Sequence, residues 1–169
     1  MHVFLTGEIQ VGKTTLIRKF LLRSGLSADG FMTYWESDGG DDRSLYISPY
    51  SADLNGVKRF PVAKSTGKML SRPEDMIDAF NTHGTEILND SGRRDLIIMD
   101  ELGFMESKAD IFKLAVMRHI SGKIPVLGVI KPKKTEFLDA IRAMDDVAVL
   151  EVTVENRDEI LKTLLNRSW

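Results

Sequence analysis

Residues 7–15 read GEIQVGKTT and follow directly on an apolar run, MHVFLT. The spacing of glycine, four residues, glycine, lysine and threonine constrains this chain more than any other feature. A backbone that wraps a phosphate must turn its N–H groups inward with no side chain in the way, and Gly7 and Gly12 meet that demand. Glu8, Ile9, Gln10 and Val11 form the span between them. Lys13 supplies positive charge to the terminal phosphates, Thr14 offers a hydroxyl to Mg2+, and Thr15 continues into a helix whose positive dipole end faces the anion. With a strand before it and a helix after it, the stretch is expected to be a P-loop (Walker A) nucleotide site.

The rest of the chain alternates apolar runs with helical patterns, as parallel strands joined by helical crossovers do, so the fold class is α/β. Strands are expected at 2–6, 60–63, 95–100, 124–130 and 147–152, and helices at 13–23, 73–89, 108–121, 134–144 and 156–166. Leu16, Ile17 and Phe20 are expected on the buried side of the first helix, and Met76, Ile77, Phe80, Ile87 and Leu88 on that of the second. Between 30 and 50 the rhythm changes: two aromatic, β-prone arms flank SDGGDD and predict an inserted hairpin. Asp41 and Asp42 read as its solvated turn rather than a metal site. The segment STGKMLSRP (65–73) reads as a polar loop.

Composition narrows the function classes. At 169 residues and 43% hydrophobic content, one domain spanning 1–169 is expected. Net charge is −2, without the basic surplus of a general nucleic-acid binder. The absence of cysteine excludes disulfides, thiolate metal sites and cysteine nucleophiles. No apolar run reaches membrane-spanning length or resembles a secretory leader, so a cytoplasmic monomer is expected, with neither membrane nor nucleic acid as partner.

A second acidic element, DLIIMDELG, ends an apolar strand in Asp100 followed directly by Glu101. A strand-end aspartate in nucleotide hydrolases holds Mg2+, and a neighbouring carboxylate orients or deprotonates the attacking water. Asp100 and Glu101 fit those roles, the alternative for Glu101 being a cap on the following turn. Adjacent aspartate and glutamate are characteristic of P-loop ATPases whose two motif strands are separated by another strand. The DxxG and NKxD motifs of GTPases do not occur.

Taken in order, GEIQVGKTT, GFMT (30–33), DELGFMES (100–107) with Phe112 after it, and VTVENRD (152–158) resemble the motifs of the THEP-type, or cancer-related, nucleoside triphosphatases. The resemblance covers most of the chain. It implies a RecA-like P-loop fold with a mostly parallel sheet, and slow Mg2+-dependent hydrolysis of several nucleoside triphosphates, ATP and GTP included. By the same resemblance Lys13 and Glu101 are the catalytic residues, Thr14 and Asp100 serve the metal, and Glu106 orders the loop after the metal strand. Asn156 and Arg157 approach base or ribose, or are instead a helix cap and a surface arginine. The chain departs from many relatives of that family at Gln10 or Val11, where another glycine is common, at Phe104, where a basic residue is common, and at VAKS (62–65), where a tyrosine tends to follow a glycine–lysine pair.

Among the remaining residues, Lys131, Lys133 and Lys134 read as a solvated loop, Lys131 being the best placed to read phosphate charge. Lys64, Lys68 and Arg72 are candidates for a lid, and Trp35 and Tyr34 for base stacking or, more simply, hairpin packing. His2, His83 and His119 lack metal-ligand spacing. Two other functions share the same P-loop: a small-molecule kinase, for which Arg59, Arg72, Arg93 and Arg94 give only a weak lid pattern, and a nucleotide-gated module that releases an unidentified protein partner.

Overall fold

A computed structural model describes residues 1–50, 56–67 and 69–169. The chain runs β1 (His2–Thr6), α1 (Lys13–Ser24), β2 (Ala28–Gly39), β3 (Asp42–Pro49), β4 (Phe60–Thr66), β5 (Met69–Leu70), α2 (Pro73–Ala79) and, after a π-helical turn (Phe80–Gly84), α3 (Thr85–Asp90). It continues through β6 (Leu96–Leu102), α4 (Asp110–Ile120), β7 (Val126–Ile130), α5 (Glu136–Arg142), β8 (Val147–Glu151) and α6 (Arg157–Leu165). All eight strands form one sheet in the order β5-β4-β3-β2-β6-β7-β1-β8. The segment from β2 to β8 is parallel, and β3, β4 and β5 extend it as an antiparallel ribbon. As the Asp-Glu pair led us to expect, β7 separates the P-loop strand β1 from the acidic strand β6.

Both faces of the parallel part are covered, so its strands are apolar throughout rather than alternating. On β1, Phe4 faces one layer with Phe31, Met99, Phe112 and Leu138, while Val3 and Leu5 face the other with Ile17, Phe20, Ile98 and Leu164. Burying each such side chain stabilises the fold by about 1.5–3 kcal/mol. Leu16, Ile17, Phe20, Met76, Phe80, Ile87 and Leu88 are buried as expected, and Ile77 is half-buried.

Gly30 shows why the first residue of GFMT is glycine. Its φ is 111°, and a Cβ there would lie 2.0 Å from the Ile98 carbonyl oxygen, so β2 can approach β6 only without a side chain. The hairpin of β2 and β3 lies where its aromatic arms predicted, and Asp42 Oδ2 is 4.0 Å from Lys64 Nζ.

Two expectations are corrected. STGKMLSRP is not a plain loop: Ser65 pairs with Leu70 and Thr66 with Met69, and the Ser71 hydroxyl accepts the Lys64 N–H at 2.7 Å. Hydrogen bonds rather than apolar burial build this ladder, Met69 and Leu70 being exposed, so no apolar alternation announces it. The 73–89 helix is interrupted by the π-helical turn, which aims Asn81 Oδ1 at the Ile111 and Phe112 N–H groups (3.0 and 3.1 Å) opening α4. In the same turn Gly84 leaves room for the Phe112 ring, 2.7 Å from where a Cβ would stand. Among the described residues no helix is long and apolar enough to cross a membrane.

Candidate active site at the P-loop

The loop between β1 and α1 owes its path to backbone conformation. Gly7 has φ 133°, and a Cβ there would sit 2.3 Å from the carbonyl oxygen of Val152, the residue after β8. Gly12 has φ 96°, and Val11 is buried in the core beneath the loop. Gln10, one of the two positions at which the family resemblance led us to expect glycine, adopts φ 66°. A residue with a side chain therefore occupies a left-handed position in the loop. Glu8, Ile9, Gln10 and Thr15 are exposed along the rim.

Lys13 Nζ donates to the Gly7 and Glu8 carbonyl oxygens at 2.9 and 2.7 Å, which holds the ammonium over the loop. Burial lowers its pKa, while the charges of Glu101, Asp100 and Glu8 oppose that shift. Asp100 is 4% exposed. Burial pushes its carboxyl up to about 6, against the Thr14 hydroxyl that hydrogen-bonds it and with the adjacent Glu101 charge adding to the rise. Asp100 Oδ2 is buried with no hydrogen-bond partner among the described residues. A hydroxyl and an unpartnered buried carboxylate oxygen side by side are the hard donors that Mg2+ prefers, so Thr14 and Asp100 fit the cation.

Glu101 does not cap the following turn. Its Oε1 lies 2.8 Å from Lys131 Nζ, and its backbone N–H donates to Thr33 Oγ1 at 3.3 Å. The capping task falls to Glu106, whose Oε1 accepts the Gly103 N–H. That carboxyl is 3% exposed, and burial raises its pKa to about 7 despite the hydrogen bond.

Lys13, Thr14, Asp100, Glu101 and Lys131 line one cavity of about 770 Å³. Its far rim carries Trp35, 39% exposed with the Arg43 guanidinium 5.5 Å from the ring centre, and Phe104, 45% exposed under Lys133 Nζ at 4.3 Å. Tyr34 lies instead against Tyr46 in the hairpin, with ring centres 6.0 Å apart.

The last motif divides. Asn156 Oδ1 accepts the Thr153 N–H at 2.8 Å and Nδ2 donates to the Glu151 oxygen at 2.9 Å, so its amide is committed to the turn joining β8 to α6. Arg157 reaches the loop itself: its Nη1 is 3.3 Å from where a Gly12 Cβ would be, in a second cavity of about 270 Å³ shared with Thr15, Lys19 and Val154. Arg72 is not brought to the site but binds Asp75 through two hydrogen bonds (3.1 and 2.9 Å), and Lys68 lies outside the described residues. His2 receives the Val126 N–H, His83 stacks on Phe60, and His119 meets the Leu88 oxygen, each committed to packing. Thr33 and Arg43 belong to the site and were not singled out from the sequence. GFMT contained Thr33 without revealing its partner, and Arg43 sits in no motif.

Comparison with known proteins places the chain in a family. The model of a family described as NTPase matches residues 2–165. The human cancer-related nucleoside-triphosphatase is 33% identical over 181 residues, covering 97% of this chain and 94% of its own. Nucleoside-triphosphatase THEP1 of Thermotoga petrophila is 31% identical over 170 residues, covering 98% and 91%. The crystal structure of THEP1 from the hyperthermophile Aquifex aeolicus superposes with a TM-score of 0.74 at 27% identity, covering 99% of this chain and 100% of that one. With its motifs in order along nearly its whole length, the chain belongs to this nucleoside-triphosphatase family.

Proposed function

We propose that this protein hydrolyses nucleoside triphosphates, ATP and GTP among them, to diphosphate and phosphate with Mg2+ as cofactor. The observation that carries the reading is the convergence of Lys13, the Thr14–Asp100 pair and the Glu101 carboxylate on one cavity at the mouth of the P-loop. Held by Thr14 and Asp100, Mg2+ would neutralise phosphate charge. The loop N–H groups and Lys13 hold the phosphates in place, and Glu101 takes a proton from the attacking water. Base discrimination is expected to be weak, because the Asn156 amide is occupied within its own turn and the Arg157 guanidinium offers charge and a flat face rather than base-edge complementarity.

Turnover is expected to be slow, on the order of one per minute or less, because a well-placed arginine contributes three to five powers of ten in this reaction class, whereas among the described residues Arg157 stands beside Gly12 in the second cavity and Arg43 lies over Trp35 at the rim. We assign the chain to the cytoplasm as a monomer. Phosphate release measured over the common nucleotides, with and without Mg2+ and candidate acceptors, tests the reading. Metal-dependent release that ignores acceptors supports hydrolysis, and release that appears only with an acceptor identifies a kinase.

A further inference from the structure

We infer that Lys131 is a gating cation: it holds Glu101 in an ion pair until the terminal phosphoryl group of a triphosphate draws it away. This rests on the hydrolysis reading above and identifies what controls its base. Lys131 Nζ is 2.8 Å from Glu101 Oε1, and the two side chains are 29% and 30% exposed, within the cavity that also holds Lys13, Thr14 and Asp100.

The position is built rather than incidental. Just past the end of β7, the Lys131 N–H donates to the Leu102 oxygen at 2.9 Å. From α5, Arg142 donates to the Lys131 oxygen at 2.6 Å and to the Lys133 oxygen at 3.1 Å, its guanidinium fixed by Asp139 at 2.7 Å. Gly103 gives the stem its bed: a Cβ there would stand 3.0 Å from Lys131 Cδ. A solvated loop describes Lys133, which lies over Phe104, and the exposed Lys134, but not Lys131.

The charge logic follows from the pairing. A carboxylate neutralised by an ammonium is a poor acceptor for a water proton. The terminal phosphoryl of a triphosphate brings more negative charge into the same cavity and competes for that ammonium, a mobile point charge with three donors. One exchange then frees Glu101 and puts a cation on the group being transferred. A diphosphate lacks that phosphoryl, so the pair stays closed. In the hydrolytic step the water oxygen bonds to the terminal phosphorus and the bond from that phosphorus to the bridging oxygen breaks. Its electron pair leaves with the diphosphate, the water proton passes to the Glu101 carboxylate, and Lys131 keeps its own protons.

Lys131→Met and Lys131→Arg test this through turnover and through calorimetric affinity for ADP and a non-hydrolysable ATP analogue. For Lys131→Met we expect kcat to fall about 100-fold, as when one fixed transition-state donor is removed, and analogue affinity to drop while ADP affinity stays level. Lys131→Arg should restore most of both. Turnover that is unchanged or faster in Lys131→Met, or equal weakening of ADP and analogue, would overturn the inference. The affinity comparison does not depend on turnover. A parent protein that binds the analogue yet releases no phosphate contradicts the hydrolysis reading, and the analogue-to-ADP ratio still decides the role of Lys131.

Discussion

Thr33 Oγ1 accepts the Glu101 backbone N–H at 3.3 Å, tying the inserted hairpin to the acidic end of β6. Thr33→Val keeps the shape and removes the acceptor, leaving a part-buried N–H unsatisfied at about 1–3 kcal/mol. We expect turnover to fall about tenfold, equivalent to about 1.4 kcal/mol at the barrier, with ADP affinity unchanged and Thr33→Ser close to the parent. Phosphate-release kinetics on the three proteins check this, and equal kcat in all three would show that the hydrogen bond does not position the carboxylate.

Gln10 has φ 66°, a conformation that costs a residue with a Cβ about 1–2 kcal/mol and costs glycine little. Gln10→Gly should bind nucleotide as the parent does, with a melting temperature equal or higher. Gln10→Val places a β-branched side chain in the left-handed region and should lower both. Thermal denaturation with and without nucleotide would expose an error if valine were tolerated as well as glycine.

Glu106 gives the clearest pH signature. Its carboxyl titrates near 7 in the folded protein against an ordinary value of 4.5, because burial disfavours the charged form. Between those values the folded chain holds a proton that the unfolded chain has released, so stability declines as pH rises from 4.5 through 7 and stays reduced above. Glu106→Gln keeps an acceptor for the Gly103 N–H and has no charge to bury. We expect it to be more stable than the parent at pH 8 by roughly 1–3 kcal/mol, with the gap closing towards pH 5. Asp100 contributes a slope of the same sign up to about 6, but it is present in both proteins and cancels. Parallel melting curves from pH 5 to 9 would mean that Glu106 does not titrate in this window.

Lys13→Ala deletes the ammonium held over the loop by the Gly7 and Glu8 carbonyls. Triphosphate affinity should fall at least about 100-fold, a charge-assisted contact of roughly 3 kcal/mol, while the circular dichroism spectrum and melting temperature stay near those of the parent. Unchanged affinity in a folded variant would remove the phosphates from this loop.

What could be read from the sequence is what local patterning encodes. The run Leu96–Met99 is apolar because both faces of β6 are covered, and the spacing of Gly7, Gly12, Lys13 and Thr14 and the Asp100–Glu101 pair are each written within a few consecutive residues, although the Val152 oxygen that excludes a side chain at Gly7 is distant along the chain. What could not be read depends on partners distant along the chain. The Thr33 hydroxyl meets the Glu101 N–H across 68 positions, and Arg43 comes to the rim only because the hairpin folds beside β6. Asn156 illustrates the converse. Its place in a motif suggested ligand contact, yet its amide is used within five residues, in a turn whose geometry no spacing rule reveals. The break in the 73–89 helix has a similar setting, since its turn meets α4, some thirty residues away, through Asn81 and the N–H groups of Ile111 and Phe112.

The central claim is that Glu101 activates water for hydrolysis of a nucleotide held at Lys13 and Thr14. Its most direct test sets the parent beside Glu101→Gln, measuring Mg2+-ATP affinity by calorimetry and phosphate release on the same preparations. The amide preserves shape and cannot take a proton, so the account predicts affinities within a few-fold of each other and release abolished in the variant alone. Equal phosphate release from both proteins would contradict it.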